Sequence, residues 1–200
     1  MPGVDYFPGL LDWAAQEALR DEVRAILIEA PPFRPRMPRT GRPFSVMMSN
    51  CGVLGWVSDR RGYRYTTHDP LSGELWPPMP ALFAALAERA AAAAGFDDFV
   101  PDACLINRYV PGARLTLHQD KDESEFSAPI VSVSLGLPAI FLFGGQGRKD
   151  RQRRIPLQHG DVAVWGGPAR LNHHGVVALK EGHHPDLGRQ RLNLTFRRAR

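Results

Sequence analysis

Cysteine is nearly absent: the 200 residues hold only Cys51 and Cys104. Two thiols cannot build a disulfide framework, so a small stapled extracellular scaffold is excluded and a reducing cytoplasm is the expected compartment. As metal ligands they are outweighed by the commoner role of buried, inert cysteine. No apolar run approaches the ~20 residues of a membrane span, so no membrane partner is expected. The start, Met1-Pro2-Gly3-Val4-Asp5, lacks the basic and apolar regions of a secretory leader. A dinucleotide or Walker glycine pattern is missing, as is any internal repeat, which excludes a nucleotide-cofactor fold and a solenoid. What remains is a globular chain, 44% hydrophobic and 23% charged, long enough to bury a real core as one domain over residues 1–200. It is expected to be a monomer.

Charge of one sign is in slight excess, with 25 Lys+Arg against 21 Asp+Glu. That is compatible with a polyanionic partner without demanding one. Distribution is more telling. Arg148, Lys149, Arg151, Arg153 and Arg154 form a basic run in a Gly-rich turn region, and Arg197, Arg198 and Arg200 crowd the tail. A solvated loop and a phosphate-contacting loop explain the first run equally well on charge alone.

Hydrophobic spacing predicts a helix from Asp12 to Ala30, with Trp13, Leu19, Val23, Ile26 and Leu27 on one face, Asp12 as N-cap and Pro31-Pro32 as the stop. A second helix is expected from Pro80 to a C-capping Gly95. Between them, Met37 to Trp76 reads as an irregular lid with short strand-like pieces, rather than as core. From Cys104 onward short strands alternate with turns. The expected strands are Leu105–Tyr109, Leu115–His118, Ile130–Leu135, Ala139–Phe143, Val162–Trp165, Arg170–His174 and Leu192–Phe196. The fold class is therefore α+β, with the β part a double-sheet jelly roll.

His118-Gln119-Asp120, with a distant histidine, is the constellation that carries chemistry. Residues two apart on a strand face the same side, so His118 and Asp120 can address one ion. His173 and His174 are both candidates for the third ligand, because the pleat turns only one of them inward. An N,N,O set suits iron(II) with one face open, though zinc or manganese would accept it. On the last strand Arg191, Asn193, Thr195 and Arg197 share a face opposite Leu192, Leu194 and Phe196. Two guanidiniums on one inward face call for an anionic ligand. A small dicarboxylate clamped against the open face of a metal is the pattern of an iron-dependent oxygenase.

Several blocks extend this reading. Leu105-Ile106-Asn107-Arg108-Tyr109, Leu117-His118-Gln119-Asp120-Lys121-Asp122-Glu123, Pro129 to Gly136, Gly160-Asp161-Val162 and Arg191 to Arg197 resemble the AlkB family of iron(II)/2-oxoglutarate dealkylases. Similarity runs from about Phe44 to the C-terminus and is poor over the first forty residues. The resemblance implies a double-stranded β-helix with iron held by His118, Asp120 and His174, the histidine directly before a glycine. It implies 2-oxoglutarate contacts from Asn107, Tyr109, Arg191, Asn193 and Arg197, with dioxygen as the second co-substrate. It divides the chain into an N-terminal helix region (1–36), a nucleotide-recognition lid (37–79), a supporting helix (80–96) and the jelly-roll core (100–200).

On the substrate side the resemblance maps base-binding roles onto Trp56, Tyr63 and Arg148, with Asp122 beside the metal motif. Met47 or Met48 would line the pocket, and Met48 is assigned to it. The implied reaction is oxidative demethylation of bases such as N1-methyladenine and N3-methylcytosine in single-stranded DNA or RNA, a direct-reversal repair that releases formaldehyde. Such bases are cationic, which suits a carboxylate and aromatic faces, and they pair poorly, which lowers the cost of extrusion. The rivals are a hydroxylase of a protein or small molecule on the same core, and a non-catalytic nucleic-acid-binding module with a structural metal. His68, His159, His183 and His184 are read as ordinary polar groups, and Asp102 and Glu123 as surface groups or groups that support the metal ligands from behind.

Overall fold

The computed structural model describes residues 3–200. Its strands and helices are β1 (Asp5–Phe7), α1 (Trp13–Glu29), β2 (Met47–Gly52), β3 (Gly55–Asp59), β4 (Gly62–Thr66), α2 (Ala81–Ala93), β5 (Ala103–Tyr109), β6 (Leu115–His118), β7 (Ile130–Gly136), β8 (Ala139–Phe143), β9 (Arg153–Leu157), β10 (Val162–Trp165), β11 (His174–Val176) and β12 (Arg191–Arg197). A six-stranded sheet has the order β1-β10-β7-β12-β5-β2, a four-stranded sheet the order β6-β11-β8-β9, and β3 and β4 form a separate hairpin. The expected α+β jelly roll is what the chain forms.

The helices start and stop for local reasons. The Asp12 side chain accepts from the Ala15 amide at 2.9 Å, capping α1, and Pro31 follows its C-cap. Leu19, Val23 and Ile26 are buried as the spacing predicts, whereas Trp13, on the first turn, is 58% exposed. Together with Phe83, Leu86, Ala87, Ala90 and Ala91 of α2 they cover one face of the large sheet. That face is built from alternate residues: Cys104 and Ile106 of β5, Val131, Val133 and Leu135 of β7, and Leu192, Leu194 and Phe196 of β12. The other face meets the four-stranded sheet across Met48, Leu105, Tyr109, Ile130, Phe141, Phe143, Ile155 and Trp165. One face of β12 is therefore committed to the helices, and its opposite face is left for the space between the sheets.

Three expectations are corrected. Met47–Gly52 is not lid: β2 pairs in register with β5, and Met48, Ser49, Asn50 and Cys51 are buried. The polar Ser49 and Asn50 hid this strand, because their side chains bond backbone, Ser49 to the Ala30 carbonyl and Asn50 to both backbone groups of Trp56. Arg170–His174 is not a strand. Gly167–Ala169 forms a short 3-10 turn, and the backbone turns on until β11 begins at His174. Finally, Arg153 and Arg154 belong to edge strand β9 rather than to a turn, because Ile155 and Leu157 alternate into the core.

Candidate active site

His118 closes β6 and His174 opens β11, and the two pair directly across the small sheet, so their rings lie 4.4 Å apart. Asp120 lies two residues past the strand end, so a loop rather than the pleat aims it. Arg170 fixes that loop, donating from Nη1 to the Asp120 carbonyl at 2.9 Å. His118 Nε2 is 3.5 Å from Asp120 Oδ1, and His174 Nε2 is 3.7 Å from Oδ2. One ligand atom from each residue lies within 4.8 Å of the others, and no fourth His, Cys, Asp or Glu joins them among the described residues. His118 Nδ1 is 2.9 Å from the Thr116 carbonyl, and His174 Nδ1 is 3.0 Å from that of Asn172. A carbonyl only accepts, so each Nδ1 carries the proton and each Nε2 presents its lone pair. The donor set fits one divalent ion with an open side. Gly175 follows for steric reasons: a Cβ there would sit 2.8 Å from the Leu115 carbonyl oxygen. His173 lines the cavity without joining the set.

The electrostatics suit a cation. Burial alone would push the Asp120 carboxyl up, but the Arg197 guanidinium and the two imidazoles hold it well below the usual carboxylate range. Burial, helped by His118, brings His174 down to about 4, so it is neutral and able to ligate at physiological pH.

Arg191, Asn193, Thr195 and Arg197 all line a cavity of about 330 Å³ shared with the three candidate ligands. Arg191 is 1% exposed. Its Nη2 donates to Ser134 Oγ at 2.9 Å, whereas its Nε and Nη1 have no partner; the Tyr109 hydroxyl and Asn107 Oδ1 are likewise unmatched. A buried guanidinium with two idle donors and a buried phenol facing the same space fit a carboxylate-bearing small molecule. Asn193 is differently placed. Its amide donates to Ser132 Oγ and the Val133 carbonyl, and its Oδ1 accepts from Thr195 and Asn107. It holds Asn107 and has no donor to spare.

Trp56 of β3 and Tyr63 of β4 stack with ring centroids 5.6 Å apart and planes 17° from parallel. The Trp56 indole donates to Asp122 Oδ2 at 2.9 Å. Burial, with Glu123 and Asp120 nearby, raises the Asp122 carboxyl despite that bond. Met48 and Arg148 complete this rim of the cavity, while Met47 does not line it. Lys149, Arg151, Arg153 and Arg154 continue outward, all exposed.

Reasoning from the sequence missed two groups here, Arg170 and Tyr65, and left Glu123 open between the surface and a place behind the metal ligands. Arg170 and Glu123 are buried, and Tyr65 Oη donates to Glu123 Oε1 at 2.6 Å. Nothing in the spacing of Glu123 set it apart from its charged neighbours. Asp102, by contrast, accepts from the Ala199 and Arg200 amides and ties down the C-terminal end. His159 and His184 stack on each other at 4.3 Å, outside the cavity.

Residues 3–197 match the 2OG-Fe(II) oxygenase superfamily. Over 185 residues, 92% of this chain and 85% of the other, the sequence is 54% identical to the alpha-ketoglutarate-dependent dioxygenase AlkB of Salmonella typhimurium. It is 36% identical over 124 residues to the human nucleic acid dioxygenase ALKBH1, covering 62% of this chain and 31% of that one. The solved structure of OsALKBH1 superposes with a TM-score of 0.84 at 30% identity, covering 99% of this chain and 97% of the other.

Proposed function

The chain belongs to the AlkB family within the 2OG-Fe(II) oxygenase superfamily, and from that membership we propose that it removes N-linked methyl groups from bases of single-stranded DNA or RNA. It is an iron(II)- and 2-oxoglutarate-dependent dioxygenase. The single observation that carries the proposal is the meeting, in one cavity, of an open N,N,O set with a buried arginine that lacks a carboxylate partner.

In this reading His118, Asp120 and His174 hold iron(II), and their carbonyl-bonded Nδ1 atoms keep both imidazoles in the ligating tautomer. The Arg191 donors and the Tyr109 hydroxyl clamp a carboxylate of 2-oxoglutarate. Arg197 steadies Asp120, and Asn193 orients Asn107. Bound iron and co-substrate supply the oxidation, in which dioxygen converts 2-oxoglutarate to succinate and carbon dioxide and hydroxylates the N-methyl group. The resulting hydroxymethyl amine then breaks down to the free base and formaldehyde.

The β3–β4 hairpin and the segment before β2 act as the lid. Trp56 and Tyr63 offer stacking faces, worth ~1–3 kcal/mol per base. Asp122 supplies a negative charge beside them, which favours the cationic N1-methyladenine and N3-methylcytosine over neutral bases. Arg148 and the exposed residues of β9 track the phosphates. The protein is taken to act as a monomer in the cytoplasm, in keeping with two buried free cysteines. Among the described residues no helix is long and apolar enough to cross a membrane.

The test is mass spectrometry of a single-stranded oligonucleotide carrying one N1-methyladenine, incubated aerobically with protein, iron(II), ascorbate and 2-oxoglutarate. Loss of the methyl mass only when 2-oxoglutarate is present is the expected result. Consumption of 2-oxoglutarate with the methyl group intact would redirect the proposal to a hydroxylase of a protein or small molecule.

A further inference from the structure

Glu123 is 6% exposed, and three residues converge on its carboxylate. Tyr65 Oη donates to Oε1 at 2.6 Å. Arg197 Nε lies 3.3 Å from the same oxygen, and Arg170 Nη2 lies 3.3 Å from Oε2. Arg197 in turn reaches Asp120 Oδ2 from Nε at 3.0 Å and Nη2 at 2.6 Å. Arg170 is pinned by the Ala128 and Asp120 carbonyls. Two guanidiniums and two carboxylates thus balance in a buried cluster, an arrangement that is stable only while complete. The one member from outside the jelly roll is Tyr65. It lies on β4 directly opposite Trp56, so it belongs to the same hairpin as the stacking rings. Burial raises its phenol far above the ordinary value, so it remains a hydrogen-bond donor.

We propose that Tyr65 and Glu123 are positioning residues that join the hairpin to Arg197, so that docking of the hairpin over the cavity and filling of the 2-oxoglutarate pocket stabilise each other. The inference rests on the co-substrate reading above. Without the Tyr65 hydroxyl, Glu123 loses its one neutral donor and is free to turn toward Arg170, which loosens Arg197 where it meets Asp120. Linkage makes the effect reciprocal: whatever the hairpin contributes to 2-oxoglutarate affinity, 2-oxoglutarate returns as hairpin stability.

The turn between β3 and β4 exposes Arg60 and Arg61, which makes trypsin a reporter of hairpin docking. The full chain is loaded with manganese(II), which does not turn over, and cleavage at these residues is timed with and without 2-oxoglutarate. Affinity for 2-oxoglutarate is measured by calorimetry on the same samples. In the wild type, 2-oxoglutarate should slow cleavage. In Tyr65→Phe and in Glu123→Gln the slowing should disappear and affinity should fall by about 5-fold or more. A purely structural role would speed cleavage of the variants equally with and without 2-oxoglutarate. Unaltered protection and affinity in Tyr65→Phe would overturn the link and leave the co-substrate site standing. Should Tyr65→Phe fail to fold, Glu123→Gln decides by the same readings. A wild type that fails to bind 2-oxoglutarate at all would overturn both the site reading and the link.

Discussion

The Arg191 guanidinium carbon sits 5.0 Å from the centre of the Tyr109 ring, fully buried and with no carboxylate of the protein paired to it among the described residues. Burial lowers the pKa of this arginine, which means that its charge is unfavourable until an anion joins it. Replacing even a buried ion pair by apolar residues of similar size is often neutral or stabilising by about 1–4 kcal/mol, and an unpaired buried ion has less to lose. Arg191→Met should therefore leave the ligand-free unfolding midpoint unchanged or higher, and abolish the upward shift that 2-oxoglutarate gives in the wild type. Scanning fluorimetry with manganese(II) reads both. A midpoint well below wild type would mean that the guanidinium is structural.

His174 gives the metal-free protein a defined acid sensitivity. Its folded pKa is held down to about 4 by burial and by His118, against about 6.5 in an unfolded chain. Its contribution is complete above the unfolded value and is lost as pH falls from about 6.5 toward 4. The Asp120 carboxyl, depressed further by Arg197, keeps its contribution to lower pH. Urea titrations of metal-free protein across this window should show stability falling more steeply in wild type than in His174→Gln, by up to about 1.4 kcal/mol per pH unit. Parallel slopes would mean that the imidazole already titrates normally in the fold.

Asp122→Asn keeps an acceptor for the Trp56 indole but removes the charge. Catalytic efficiency on the cationic N1-methyladenine should fall about tenfold, an effect near 1.4 kcal/mol, while that on the neutral N3-methylthymine should hold. Competition between the two oligonucleotides gives the ratio directly. Equal losses on both would assign Asp122 to hairpin anchoring alone.

If Arg151 and the exposed arginines of β9 track the phosphates as proposed, oligonucleotide binding is salt-sensitive. For the double substitution Arg151→Ala with Arg153→Ala, the dependence of oligonucleotide affinity on salt should flatten by roughly 0.7 in log–log slope for each phosphate no longer neutralised. Fluorescence anisotropy at several salt concentrations measures it, and an unchanged slope would leave these side chains as solvated surface.

The sequence reveals the site better than the lid, and particular residues say why. His118 and Asp120 are close along the chain, although Arg170 rather than the pleat aims Asp120. The arginines of β12 alternate with Leu192, Leu194 and Phe196, so local period points those arginines inward. The boundaries of α1 follow from Asp12 and Pro31, which act on their own neighbours. What pattern could not show depends on partners far away in the chain. Ser49 and Asn50 look like loop residues until the Ala30 and Trp56 backbones arrive to satisfy them. Arg170 looks like a strand residue until its guanidinium finds the Ala128 and Asp120 carbonyls. Glu123 is one acid among several, and its importance comes from Tyr65, fifty-eight positions earlier.

The two faces of β12 bind folding and chemistry to one register. Slipping the strand by a single residue against β5 or β7 would drive Arg191 and Arg197 into the packing beneath the helices, and would swing Leu192, Leu194 and Phe196 into the cavity. No half-correct molecule with a sound core and a ruined site, or the reverse, is available by that route. A chain that mispairs this last strand therefore loses its packing and its metal pocket in one event, so the fold itself screens out molecules with a defective site.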